Sequence, residues 1–127
     1  MSEQPIWALA VRSLDSHKAT DIKVLDVAGI TALTDTFLLA SGGSANQVRS
    51  LSDYLEEELA KEGHRPLRTE GYTTGDWITL DYGDMMVHLF RREVRQFYDL
   101  ERLWADAAAV NIDTLLIEEN NGEENGL

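Results

Sequence analysis

Between Gly75 and Phe90 the residues alternate with a period of two on either side of a two-residue break, and that pattern leaves little choice of local fold. Trp77–Tyr82 and Met85–Phe90 read as strands joined by Gly83-Asp84, and a two-residue loop that opens on glycine suits a type II′ hairpin. Such a loop sets the register. Tyr82 stands opposite Met85, Leu80 opposite Val87 and Ile78 opposite Leu89, all on one apolar face that belongs to a core. The other face sets Trp77 opposite Phe90, Thr79 opposite His88 and Asp81 opposite Met86. Aromatic, polar and charged groups mixed in this way are unusual for a second buried layer.

The flanking segments supply the rest of an α/β domain. Pro5 suits a first helical turn, and Ile6, Leu9, Ala10 and Leu14 recur at helical spacing, which predicts a helix ending near His17. Ile22–Val27 reads as a short strand, and Thr36–Ser41, apolar on both faces, as a central one. After the Gly42-Gly43 break, Ser44 and Gln47 match a capping box. The apolar stripe Val48, Leu51, Leu55 and Leu59 follows, with Glu56, Glu57, Glu58 and Glu62 mostly facing water and Gly63 as terminator. A further strand near Leu67–Tyr72 completes a right-handed βαβ unit. Phe97, Leu100, Leu103, Trp104 and Ala107 predict a third main helix. The expected domain spans residues 1–112. Residues 113–127 form an acidic tail that keeps a turn through Leu115–Ile117 and is disordered from Glu118 to Leu127.

Charge narrows the choice of partner. The chain carries 23 acidic and 11 basic residues, a formal net charge of −12. Five of the acids (Asp113, Glu118, Glu119, Glu123 and Glu124) follow Ile112, where no base occurs, so residues 1–112 hold 18 acids against 11 bases and remain acidic. Nucleic-acid binding draws its affinity largely from Lys and Arg, so little direct contact with nucleic acid is expected, and a basic protein surface is the better partner. The absence of cysteine excludes disulfides, thiolate catalysis and Cys-based zinc sites. Neither a signal sequence nor an apolar run of membrane-spanning length is visible, so the expectation is a cytoplasmic protein without membrane contact.

No motif carries catalytic chemistry. Gly42-Gly43-Ser44 could cradle a phosphate, but it lacks the Lys-Ser/Thr of a P-loop and the spacing of a dinucleotide fingerprint, and a capped strand-to-helix turn accounts for it. Asp81 and Asp84 could hold a divalent cation, although turn chemistry explains both. His17, His64 and His88 lie on different elements and form no zinc motif or triad, with His17 and His64 read as exposed helix ends. Arg91, Arg92 and Arg95 face Glu93, Asp99 and Glu101 and are read as a local ion-pair network. No metal or cofactor is expected.

Several ordered segments resemble one family. Asp21–Asp26 resembles its opening strand, Thr34–Val48 its second strand and capped helix, Gly75–Asp84 with Val87–Phe90 its hairpin, and Tyr98–Ala107 its closing helix. Together they cover about residues 5–110 and resemble the ribosomal silencing factor (iojap-like) family. Thr36, where an aromatic is common, and Met85-Met86, where a β-branched pair is usual, depart from the pattern.

The resemblance implies a single mixed β-sheet of about five strands with packed helices, related in topology to nucleotidyltransferases. It also implies binding to the large ribosomal subunit through large-subunit ribosomal protein fourteen, a block on joining of the small subunit under nutrient limitation, and a tendency to form homodimers. The contacts expected for that partner are Trp77, Thr79, Asp81, Met86, His88 and Phe90, with Tyr82 and Asp84 at the hairpin tip. The alternatives are a nucleotidyltransferase-like enzyme and a generic dimeric adaptor. The enzyme needs metal-binding carboxylates soon after Ser44, whereas the next acid is Asp53, in mid-helix.

Overall fold

A computed structural model describes residues 4–99, 102 and 105–116. Helix α1 (Ile6–Ser16) leads through β1 (Thr20–Asp26) and β2 (Thr36–Gly42) into the long helix α2 (Ala45–Lys61). Strand β3 (Arg68–Glu70), the hairpin strands β4 (Trp77–Asp81) and β5 (Met85–Arg91), helix α3 (Arg92–Tyr98) and β6 (Ala108–Ala109) follow. Residues 113–116 are helical. The strands form one sheet in the order β3-β4-β5-β2-β1-β6, with β2 and β5 parallel and the other neighbours antiparallel.

The chain is thus a single mixed-sheet α/β domain with one strand more than expected. The extra strand, β6, pairs only two alanines with β1, and alanine carries no strand signal. The βαβ expectation also needs adjusting. Strand β3 runs parallel to β2 but lies at the sheet edge, with β4 and β5 between them.

The two faces of the sheet differ in weight. On one, the α2 stripe of Val48, Leu51, Leu55 and Leu59 is buried against Val11 and Leu14 of α1 and Leu38, Ile78, Leu80, Val87 and Leu89 of the sheet. Burying an aliphatic side chain of this size contributes about 1.5–3 kcal/mol, so packing rather than helix propensity holds α2. On the opposite face Leu25, Val27, Phe37, Leu39 and Phe90 form a smaller cluster, with Trp77, Met86 and Val94 at its margin.

Helices α1 and α2 stop in the same way. At the end of α2, Gly63 N–H donates to Ala60 O (3.0 Å) and His64 N–H to Leu59 O (2.9 Å), with Gly63 at φ +90°. At the end of α1, Lys18 N–H donates to Asp15 O (3.1 Å) and Ala19 N–H to Leu14 O (2.9 Å), but the left-handed residue is Lys18, at φ +73°. A side chain in that conformation costs about 1 kcal/mol relative to glycine. Lys18→Gly is therefore expected to stabilise the fold by about 1 kcal/mol, read as a higher urea midpoint at unchanged slope. An unchanged or lower midpoint would contradict this account of the α1 stop.

Helix α3 departs most from expectation. It begins at Arg92 directly after β5 and ends at Tyr98, because Asp99 turns left-handed at φ +51°. The helix expected through Ala107 is interrupted at Asp99; Arg102 is again helical, and residues 105–107 make a turn. Leu100, Leu103 and Trp104 lie outside the described residues, as do Ile117 and Glu118–Leu127. Leu115 and Leu116 pack against the larger core, so core contacts extend beyond the boundary expected at Ile112.

A candidate docking face on the hairpin

The hairpin has the expected register. Trp77 pairs with Phe90, Ile78 with Leu89, Thr79 with His88, Leu80 with Val87 and Asp81 with Met86. Gly83 supplies the positive φ (+89°) of the tight loop, and Tyr82 N–H donates to Met85 O across it (2.8 Å). The tip is clamped from three sides. Asp81 Oδ1 accepts from Gly83 N–H (2.8 Å), Thr34 Oγ1 donates to Gly83 O (2.9 Å), and Asp84 O accepts from the amides of Asp35 (3.2 Å) and Thr36 (3.1 Å). Asp81 Oδ2 also lies 3.7 Å from Arg68 Nη2. The Asp81 carboxylate therefore holds the turn. Among the described residues no three of His, Asp and Glu gather to take a metal.

The mixed face divides into a covered end and an open end. At the covered end Phe90 is 0% and His88 7% exposed; Val94 of α3 packs against the cluster that holds Phe90, and the His88 ring lies among Phe37, Trp77 and Phe90. These two were expected as direct contacts, but their burial makes them supports beneath the surface. Trp77, half-buried, bridges the two ends. Its ring centroid lies 5.0 Å from that of Phe90 and 5.0 Å from that of Tyr98. Its indole Nε1 donates to His88 Nδ1 (3.1 Å), which places the imidazole proton on Nε2. That Nε2 is buried without a hydrogen-bond partner, and the ring meets Phe37 edge to face at 5.2 Å. Burial pushes the His88 pKa down to about 4, so the imidazole is neutral at physiological pH.

At the open end Thr79, Asp81 and Met86 are half-buried and, with Arg68 and Glu70 of β3, line a shallow depression of about 200 Å³. Asp84 is exposed at the tip. Tyr82 lies elsewhere. It packs at the margin of the larger core, on the α2 side of the sheet, and its hydroxyl is buried without a partner. Burial, and then the charge of Glu56, push ionisation of that hydroxyl upward.

Two residues that the sequence reading placed elsewhere enlarge the open surface. Phe97 is 80% and Tyr98 52% exposed, and the rings meet edge to face at 5.1 Å. With Trp77, Val94, Asp76 and Glu93 they line a groove of about 310 Å³. The sequence reading assigns Phe97 to an apolar helical stripe. No sequence signal marks its exposure, because an apolar helical stripe is about 100° wide or more and can take adjacent positions.

The remaining polar motifs resolve individually. Gly43 N–H donates to Gln47 Oε1 (2.6 Å) and Gln47 N–H to Ser44 Oγ (3.1 Å), so the glycine turn is capped from within. Arg91 pairs with Glu93 (3.2 Å), one of the acids expected, and more closely with Asp76 (2.8 Å), which was not among them. Arg95 does not join that network through carboxylates alone, since its buried Nη1 donates to Asp21 O (2.6 Å) and Ser41 Oγ (2.9 Å). His17 is not a free helix end. It stacks on Tyr54 at 3.8 Å and lies 2.9 Å from Glu58 Oε2.

Comparison with known proteins extends this picture. The family profile described as "Ribosomal silencing factor during starvation" matches residues 2–126. A Halalkalibacterium halodurans protein named ribosomal silencing factor RsfS is 35% identical over 116 residues, covering 91% of this chain and 99% of that protein. A mouse protein named mitochondrial assembly of ribosomal large subunit protein 1 is 32% identical over 99 residues, 76% of this chain and 43% of that one. A crystal structure of a Chromobacterium violaceum protein superposes with a TM-score of 0.78 at 35% identity, covering 83% of this chain and 88% of the other.

Proposed function

Because this chain belongs to the ribosomal silencing factor family, we propose that it silences cytoplasmic ribosomes by occupying the large subunit and excluding the small one. The partner is large-subunit ribosomal protein fourteen, named by the family resemblance, and the protein acts by occupancy rather than catalysis. One observation carries the surface assignment: an exposed Phe97-Tyr98 pair continuous with Trp77 and rimmed by Asp76 and Glu93. Exposed aromatics beside carboxylates have the make-up of a docking surface for a protein with apolar pockets and a basic rim. Thr79, Asp81 and Met86 extend it along the hairpin toward Asp84, with His88 and Phe90 as the floor. The mouse relative's name, which refers to the ribosomal large subunit, points to the same half of the ribosome.

The test is subunit joining followed by light scattering. Saturating protein is expected to suppress association of purified large and small subunits, and undiminished association would remove the proposal. A finer prediction concerns charge. Asp81→Asn keeps the acceptor for Gly83 N–H while removing the negative charge. It is expected to weaken large-subunit binding by about threefold to tenfold at low salt and to match the parent at high salt, where screening removes the difference. The same aromatic groove would also serve as the seam of a homodimer. Light scattering of the free protein should then show dimers that dissociate on binding the large subunit.

A further inference from the structure

On the other flank of α3 a polar cleft of about 460 Å³ opens between Asp21 and Lys23 of β1, Ser41 of β2, and Arg92, Arg95 and Asp99. We infer that this cleft binds a small phosphate-bearing anion, held by Arg92, Arg95 and Lys23. The inference does not rest on the ribosomal reading.

Position is the first argument. Ser41 and Gly42 end β2, and Phe90 and Arg91, paired beside them, end the parallel strand β5. From there the chain leaves in opposite directions: α2 packs on the larger core and α3 on the opposite face. A crevice outside the carboxyl ends of two parallel strands, at the point where their connections diverge, is where open α/β sheets take ligands. The volume falls within the roughly 300–1,000 Å³ typical of small-molecule sites.

Charge and hydrogen bonding specify the ligand class. Three of the chain's eleven basic residues line this one cleft, against two acids, in a chain of net charge −12. Arg95 is only 7% exposed and is held in the floor by Asp21 O and Ser41 Oγ. Arg92 reaches over the glycine turn, where a Cβ on Gly43 would stand 3.8 Å from its Nη1. Among the described residues its guanidinium makes no ion pair, and a guanidinium offers the planar fork that phosphate oxygens match. Because Gly43 N–H already serves Gln47, the side chains and not the turn amides would carry the anion. The carboxylates of Asp21 and Asp99 favour hydroxyl donors next to the phosphate and oppose the long phosphate backbone of a nucleic acid, as does the acidity of the chain.

The test is NMR titration of the full chain, at low ionic strength, with inorganic pyrophosphate and with a short single-stranded RNA. Pyrophosphate is expected to shift the Ser41, Arg92 and Gln96 amides saturably with a Kd of about 1 mM or below. Arg92→Ala, an exposed change whose melting curve checks folding, should weaken that binding about tenfold, the scale of one charge-assisted contact. Phe97→Ala, in the other groove, should leave it unaltered. Absent or unsaturable shifts would overturn the proposal, as would equal shifts around Arg65 and Arg68 or unaltered affinity in Arg92→Ala. Tighter binding of the RNA than of pyrophosphate at the same amides would overturn the small-ligand assignment.

Discussion

Replacing Phe97 and Tyr98 together with alanine is expected to weaken binding to isolated large subunits about a hundredfold and to leave the melting temperature unchanged. The two expectations follow from one fact. Phe97 is largely and Tyr98 about half solvated in the free protein, so little folding energy is lost with them. A buried aromatic anchor at an interface is worth about 2 kcal/mol or more, roughly thirtyfold each. The rings also touch each other, so their contributions overlap and the pair falls short of the product. Co-sedimentation with purified large subunits measures the effect. Glu57→Ala, on the exposed side of α2 across the sheet, is the matched control and should bind like the parent. A double variant that binds as tightly as the control would place the contact surface elsewhere.

The second large effect is on stability, and it is driven by acid. His88 has a pKa near 4 in the folded protein because burial disfavours the imidazolium, whereas its ordinary value is 6.5. Above pH 6.5 the ring is neutral in both states and costs nothing. Between 6.5 and about 4 the unfolded chain binds a proton that the native one does not, so stability falls as pH falls. Below about pH 4 both states are protonated and this loss levels off. At about 1.4 kcal/mol per unit, the His88 contribution amounts to about 3 kcal/mol across the window. In His88→Asn the amide oxygen can replace Nδ1 as acceptor for the Trp77 indole, but nothing titrates. Urea midpoints at pH 7 and pH 4.5 should therefore fall farther apart in the parent than in His88→Asn. Equal differences in the two proteins would rule out a buried neutral His88. At neutral pH the variant should also keep Trp77 oriented.

The hairpin is legible in the sequence because period, loop length and register form a single constraint, and five observed pairs are those the alternation predicts. The start of α2 is nearly as plain, although Gln47 reaches back to Gly43 rather than to Ser44. Helix α3 is not legible. Arg92-Glu93-Val94-Arg95-Gln96 contains one apolar residue, and the helix is tied down by a buried guanidinium where pattern reading looks for hydrocarbon. Everything that depends on α3 is lost with it: the packing of Val94 on the Phe90 cluster, the exposure of Phe97 and Tyr98, and the cleft beside Ser41. Tyr82 fails for a different reason. Alternation assigns it correctly to the core face, but its place at the hairpin tip invites a role on the other one.

The sheet ends in a strand of three residues on one side and of two on the other. An extended peptide laid along β3 or β6 itself would find only two or three backbone pairs to make, too few to hold it by strand addition. Recognition then falls to side-chain shape and charge on the face of the sheet. An inhibitor of this protein is better sought among compact ligands that cap an aromatic groove than among strand mimetics.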